Sequence, residues 1–264
     1  GLITIVEDAS QHADLLRKLL NVPDEGRVKL DKGIGMDIDT QLVMISNPDL
    51  DAELDQYADR NGRDPLKALK RRLDRHEFRY LTNRRLEAEL IRRELTAETS
   101  VWADLDDAEI ESRVRAPLSI GIRDGRGETR QRELAPFAIG AAAMYSVVSR
   151  LDGEDVPSEL SLIEKARLFE QGYLQDGDER REISEFEIAA DSDGSHGIPV
   201  TYTRDIIADL LHEETGRAHP DHPVEDVVMP ADVLNAMAEA LATAPVFSRA
   251  EAAEYENRLP AVKD

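Results

Sequence analysis

Leu2-Ile3-Thr4-Ile5-Val6-Glu7 and Leu42-Val43-Met44-Ile45-Ser46-Asn47 are the two stretches that decide the fold. Each is a short aliphatic run, rich in β-branched residues, that ends on a polar side chain, and each predicts a buried strand. Between them Leu15, Leu16, Leu19 and Leu20 share one helical face. Residues 26–39 alternate weakly around Gly33 and Gly35 and predict a hairpin. Pro48 stops the second strand, and Asp49 stands where a helix cap is needed. A further helix starts at Asp64-Pro65 and runs through Leu66, Leu69, Arg71, Arg72 and Leu73, before a third short strand at 76–80. Strands that alternate with helices imply a parallel sheet.

Beyond residue 82 the pattern changes to helices. Leu86, Leu90, Ile91 and Leu95 mark an amphipathic helix, and residues 136–151 an Ala-rich one that packs closely. Residues 160–174 predict a helix with Ser161 and Glu164 at capping-box spacing. Thr201 is placed to cap a helix carrying Ile206, Ile207, Leu210 and Leu211, and another starts at Pro230 with Val233, Leu234, Met237 and Leu241. Residues 117–134, around Asp124-Gly125-Arg126-Gly127, read as a hairpin or ordered loop, 191–197 as a loop, and 217–226 as a Pro- and His-rich linker. The expected fold is mixed α/β and then mostly α. Its regions are an α/β part at 1–82, a mainly helical part at 83–216, and a linker with the start of a C-terminal helical region at 217–264.

Composition narrows the function. The 264 residues hold 55 acids against 33 bases, a formal charge of -22, and no cysteine. Such a surface repels nucleic acid, and thiolate or disulfide chemistry is excluded. Only seven of the bases are Lys, and the acids are spread along the whole chain rather than gathered in a tail. Acid excess with scarce Lys and abundant Arg, Ala and Asp predicts adaptation to high salt, where counter-ions screen the carboxylates. The longest apolar run, 137–145, is too short for a bilayer, and no signal peptide opens the sequence. The expected location is cytoplasmic.

The first eighty residues place chemistry in a definite order: a strand ending in Glu7, a leucine-rich helix, a strand ending in Asn47, and a helix with Arg71 and Arg72. A nucleotide hydrolase needs these parts. An acid holds magnesium or orients water, a polar strand tip positions the water or terminal phosphate, and an arginine spreads the developing phosphoryl charge. Taken singly, Glu7 reads as a helix-terminal acid, Asn47-Pro48-Asp49 as a turn and cap, and the arginines as a solvated face. Taken in order, they favour the nucleotide site.

These stretches resemble the PrkA-type AAA ATPases, a family named as serine protein kinases. Residues 1–7 resemble its Walker B strand, 39–47 the first-sensor strand, 64–80 the segment bearing trans-acting arginines, and Gly197-Ile198-Pro199 with the following helix the second-sensor region, with Arg204 as sensor. Residues 229–234 resemble a helix start in the PrkA C-terminal region. The resemblance implies a partial P-loop AAA sheet made of its late strands, followed by a helical lid. It also implies ATP and Mg2+, without fixing which residues ligate the metal, and a protein substrate. Two departures stand out: Val6 occupies the position where many AAA proteins carry Asp, and no G-x-x-x-x-G-K-[ST] is present. The phosphate cradle is therefore expected from a missing N-terminal AAA half or from a partner in a homo-oligomer, and this chain alone is expected to be inactive. No H-R-D or D-F-G occurs, so phosphorylation rests on the family name and ATP-driven remodelling fits the residues at least as well. Two other readings remain beside it: a non-enzymatic helical interaction or regulatory fragment, and a transcription regulator of the sigma-factor-activator kind. The sequence shows neither the polymerase-gripping loop nor the helix-turn-helix that the last would use.

Overall fold

The two aliphatic runs do pair. β1 (Leu2–Val6) is followed by α1 (Val22–Glu25), the hairpin strands β2 (Arg27–Lys29) and β3 (Gly35–Asp37), and β4 (Thr40–Met44). β1 and β4 are parallel, in register from Leu2 opposite Thr40 to Val6 opposite Met44. This computed structural model describes residues 2–8, 16, 18–19, 21–29, 34–46, 71–100, 105–123, 127–153, 160–188, 192–212 and 227–263. The chain divides into two units, Gly1–Glu77 and Phe78–Asp264.

In the first unit the expected hairpin forms: Arg27 pairs with Asp37 across β2 and β3, in backbone register and through a 2.8 Å ion pair. Gly26 ends α1 in the left-handed region at φ 58°, where a β-carbon would crowd the Ile38 carbonyl. Leu16 is buried, as its helical spacing predicted. The predicted burial of the two strands is not found. Leu2, Ile3 and Ile5 are 71%, 69% and 59% exposed, and in the β1–β4 pair only Val6 is buried. A two-stranded parallel pair cannot cover its own faces, because parallel strands are buried by helices laid on both sides. Residues 76–80 form no strand; residues 73–83 lack regular structure, and Phe78 is 94% exposed. Alternating apolar residues there meet no partner ladder. Asn47, Pro48 and Asp49, and the helix expected from Asp64, lie outside the described residues up to position 70.

The second unit runs α2 (Arg84–Thr96), α3 (Asp107–Arg115), β5 (Leu118–Arg123), β6 (Thr129–Leu134), α4 (Ala138–Ser149), α5 (Leu162–Gln171), β7 (Tyr173–Asp176), β8 (Glu179–Glu182), α6 (Val200–His212), β9 (Val227–Val228), α7 (Pro230–Leu241) and α8 (Arg249–Lys263). The chain is thus mixed α/β with small sheets and a helical C-terminal part, with eight helices among the described residues. Of the hairpin or ordered loop expected over 117–134, β5 and β6 form a hairpin with antiparallel pairing, and β9 adds to β6 in parallel.

α4 is apolar on every side, and a helix of that kind must be surrounded. Ala142, Ala143, Tyr145, Val147 and Val148 are fully buried, and α2, α7 and α8 pack around them. The small Ala residues permit that approach. The capping box at α5 forms as expected, with Glu164 N donating to Ser161 Oγ at 3.2 Å and Ser161 N to Glu164 Oε2 at 2.7 Å. Gly172, at φ 79°, closes α5 after Gln171, so Tyr173 and Leu174 begin a strand rather than finish the helix. α6 starts at Val200, which puts Thr201 in its first turn instead of at the cap. None of the described helices is long and apolar enough to cross a membrane.

Candidate functional site

Glu7 follows the last residue of β1 and is exposed, and the next residue, Asp8, turns the backbone sharply at φ 47°. Ile45 N donates to the Val6 carbonyl at 2.9 Å, so Glu7 and the end of β4 lie together at the carboxyl ends of two parallel strands. In open α/β sheets that edge is where ligands bind. Asn47 lies just outside the described residues. Arg71 and Arg72 are exposed in a turn, and Arg72 forms an ion pair with Asp24 of α1.

Arg204 belongs to the second unit, on a partly exposed face of α6. Its Nη1 donates to Glu94 Oε2 of α2 at 2.9 Å, while Nε and Nη2 reach Asp205 Oδ1 at 2.8 and 2.6 Å. Hydrogen bonds to Asp205 and then Glu94 raise the Arg204 guanidinium above its ordinary range. Glu94 also borders a cavity of about 430 Å³, shared with Leu90, Arg93, Ala97, Glu98, Thr99 and Ser100.

What carries Arg204 into position is a buried clasp that sequence reasoning missed. Arg150, at the end of α4, and Glu87 of α2 are each 1% exposed and form a two-pronged ion pair at 2.8 and 2.6 Å. The same guanidinium donates to the carbonyls of Leu81 at 2.7 Å and Ile198 at 2.7 and 3.1 Å. Lys165 of α5, fully buried, reaches Asp193 at 2.9 Å and the Asp152 carbonyl at 3.1 Å. Ser149 Oγ accepts from Ile198 N at 2.9 Å. The segment 192–198 is thereby fastened at both ends, immediately before α6.

Two glycines make that approach possible. A β-carbon on Gly197 (φ 127°) would collide with Arg150 Cγ, and one on Gly194 (φ 77°) would sit 2.6 Å from the Tyr80 carbonyl. The sequence signal was the pair of glycines in Asp193-Gly194-Ser195-His196-Gly197, together with a lone Arg closing an apolar helix. Ser195 and His196 are exposed on this segment, with Oγ 3.0 Å from Nδ1. The hydroxyl also donates to the Ser192 carbonyl at 2.6 Å, which ties Ser195 into the turn. Among the described residues no group of three or more His, Asp or Glu side chains is arranged to hold a metal ion.

Arg204 and the C-terminal members of the clasp fall in a stretch that matches a known family model, whereas Glu87, Ser149 and Arg150 precede it. Residues 163–264 match the family model of the PrkA serine protein kinase C-terminal domain. The PrkA match begins within α5 and extends through α8, so Lys165, Asp193, Gly194, Gly197 and Arg204 are inside it. Glu7, Asn47, Arg71 and Arg72 precede it. The family is the one the sequence resembles. No curated protein and no solved structure matches the chain.

Proposed function

We propose that the chain is part of a PrkA-like AAA ATPase of the serine protein kinase family, which uses ATP for phosphoryl transfer or for remodelling a protein substrate. The PrkA match over residues 163–264 carries this reading. The parallel pairing of β1 with β4, which puts Glu7 at a carboxyl edge, supports it. In this reading Glu7 orients the attacking water, Asn47 positions it, Arg71 or Arg72 acts on a neighbouring subunit's nucleotide, and Arg204 contacts the phosphates.

The exposed carboxylates of Glu7 and the adjacent Asp8 suit Mg2+, which is commonly held by one or two carboxylates together with substrate phosphates and water. The magnesium would neutralise charge on those phosphates when bound. The phosphate cradle would come from an N-terminal AAA half outside this sequence, or from a partner subunit. The exposed Leu2, Ile3, Ile5 and Val43 fit that expectation, because parallel strands occur with both faces covered.

The test uses the protein completed with a phosphate-loop segment. Glu7→Gln should leave Mg-ATP affinity near wild type in calorimetry while slowing hydrolysis about 10²–10⁴-fold. Turnover close to wild type would reduce Glu7 to a surface acid at a strand end.

The acid excess supports a second part of the proposal, a protein suited to high salt. Raising KCl from 0.1 M to 1 M shortens the screening length from about 10 Å to about 3 Å. With 55 acids against 33 bases, the melting temperature should climb across that series. A steady fall with added KCl would remove the halophilic reading.

A further inference from the structure

We infer that Glu94 and Asp205 form an anion gate over Arg204: they occupy its guanidinium until a polyphosphate group displaces them. The inference rests on the proposed role of Arg204 in contacting nucleotide phosphates, and it adds how that contact is regulated. All three nitrogens of Arg204 are engaged, Nη1 by Glu94 and both Nε and Nη2 by Asp205. Three of the five guanidinium N–H donors are thus held by carboxylates, and an anion seeking more than the remaining two must displace one of them.

The geometry makes the gate inexpensive to open. The side chains of Arg204, Glu94 and Asp205 are 32%, 41% and 61% exposed, so water stands ready to solvate each carboxylate on release. Exposed pairs of this kind hold weakly. The two gate residues also differ in reach. Asp205 neighbours Arg204 on α6 and moves with it, whereas Glu94 comes from α2 and ties the two helices together. Losing Glu94 to a phosphate thus frees α6 from one cross-link to α2.

The buried clasp has the opposite character. Arg150 with Glu87 and Lys165 with Asp193 are shut away from solvent and offer no route to exchange. α6 is therefore anchored at its start by a fixed clasp and held along its side by a replaceable contact. The displaced Glu94 carboxylate has space beside it, because it already borders the cavity next to α2.

The experiment uses the 264-residue chain and inorganic tripolyphosphate as probe, read by the side-chain Nε–H resonance of Arg204 and by calorimetry. Glu94→Gln should tighten tripolyphosphate binding about twofold to fivefold, in line with the strength of an exposed pair. Asp205→Asn, a second surface variant, should act in the same direction. Adding Arg204→Ala to either should cancel the gain. An affinity unchanged by both single variants, or a gain that survives Arg204→Ala, overturns the gate. In the protein completed with a phosphate-loop segment, Arg204→Ala tests the underlying ATPase reading separately. If ATP affinity ignores Arg204→Ala while tripolyphosphate still responds to Glu94→Gln, the nucleotide role fails and the gate stands. If ATP affinity falls but neither carboxylate variant matters, the gate fails and the nucleotide role stands.

Discussion

Arg150→Met is expected to destabilise the Phe78–Asp264 unit by about 3–5 kcal/mol, the usual penalty for stranding one half of a buried ion pair. Glu87 is 1% exposed and would lose both prongs of its partner, and the carbonyls of Leu81 and Ile198 would each lose donors. Glu87→Leu alone should cost a similar amount, since it leaves the guanidinium charged and buried. The double variant Glu87→Leu/Arg150→Met buries no charge, so most of the loss should return. Urea unfolding followed by far-ultraviolet circular dichroism measures all three. A single-variant loss under about 1 kcal/mol, or a double variant as weak as the sum of the singles, would show that Arg150 is not the fastener of the segment before α6.

Local signals in the sequence were legible where short-range physics decides the outcome. The Ser161 and Glu164 capping box, the Pro230 helix start and the pairing of β5 with β6 each depend on residues close to one another in the chain. Strand burial was not legible, because it depends on what covers a strand. β1 has the composition of a core strand, yet Leu2, Ile3 and Ile5 are exposed. Residues 76–80 failed for a related reason: a strand needs a ladder partner, and composition alone cannot supply one. The break between units falls after Glu77, inside that same segment.

α8 was not delineated within the expected C-terminal helical region, although Ser248 and Glu251 form a capping box, with bonds at 2.8 and 3.2 Å. Its apolar residues are largely Ala scattered round the helix and only Tyr255 and Leu259 are buried, so no apolar stripe announced it. The Arg150–Glu87 pair joins positions 63 residues apart, a separation that no local pattern can reveal. Of the candidate site, Glu7 at a strand end was readable from the apolar run before it. The engagement of Arg204 by Glu94, across 110 residues, was not.

Arg72→Ala and Arg71→Ala give the other large expected effect. If one of these arginines reaches a neighbouring subunit's nucleotide, its loss should slow hydrolysis about 10³-fold or more in the completed protein. Both are exposed, as a group offered to a neighbour must be. Arg72 also pairs with Asp24, and breaking a partly exposed contact of that kind changes stability by about 1 kcal/mol at most. A purely structural role therefore predicts a small shift in melting temperature and near-normal turnover. Mixing separates the two accounts further. Each arginine variant retains Glu7, and a Glu7→Gln protein retains its arginines, so in a mixed assembly some sites combine an intact Glu7 with an arginine from the adjacent subunit. Activity should then appear in the mixture that neither protein shows alone. Full activity of both arginine variants by themselves would mean that neither acts in trans, and the assembly proposed from this sequence would lose its main mechanistic support.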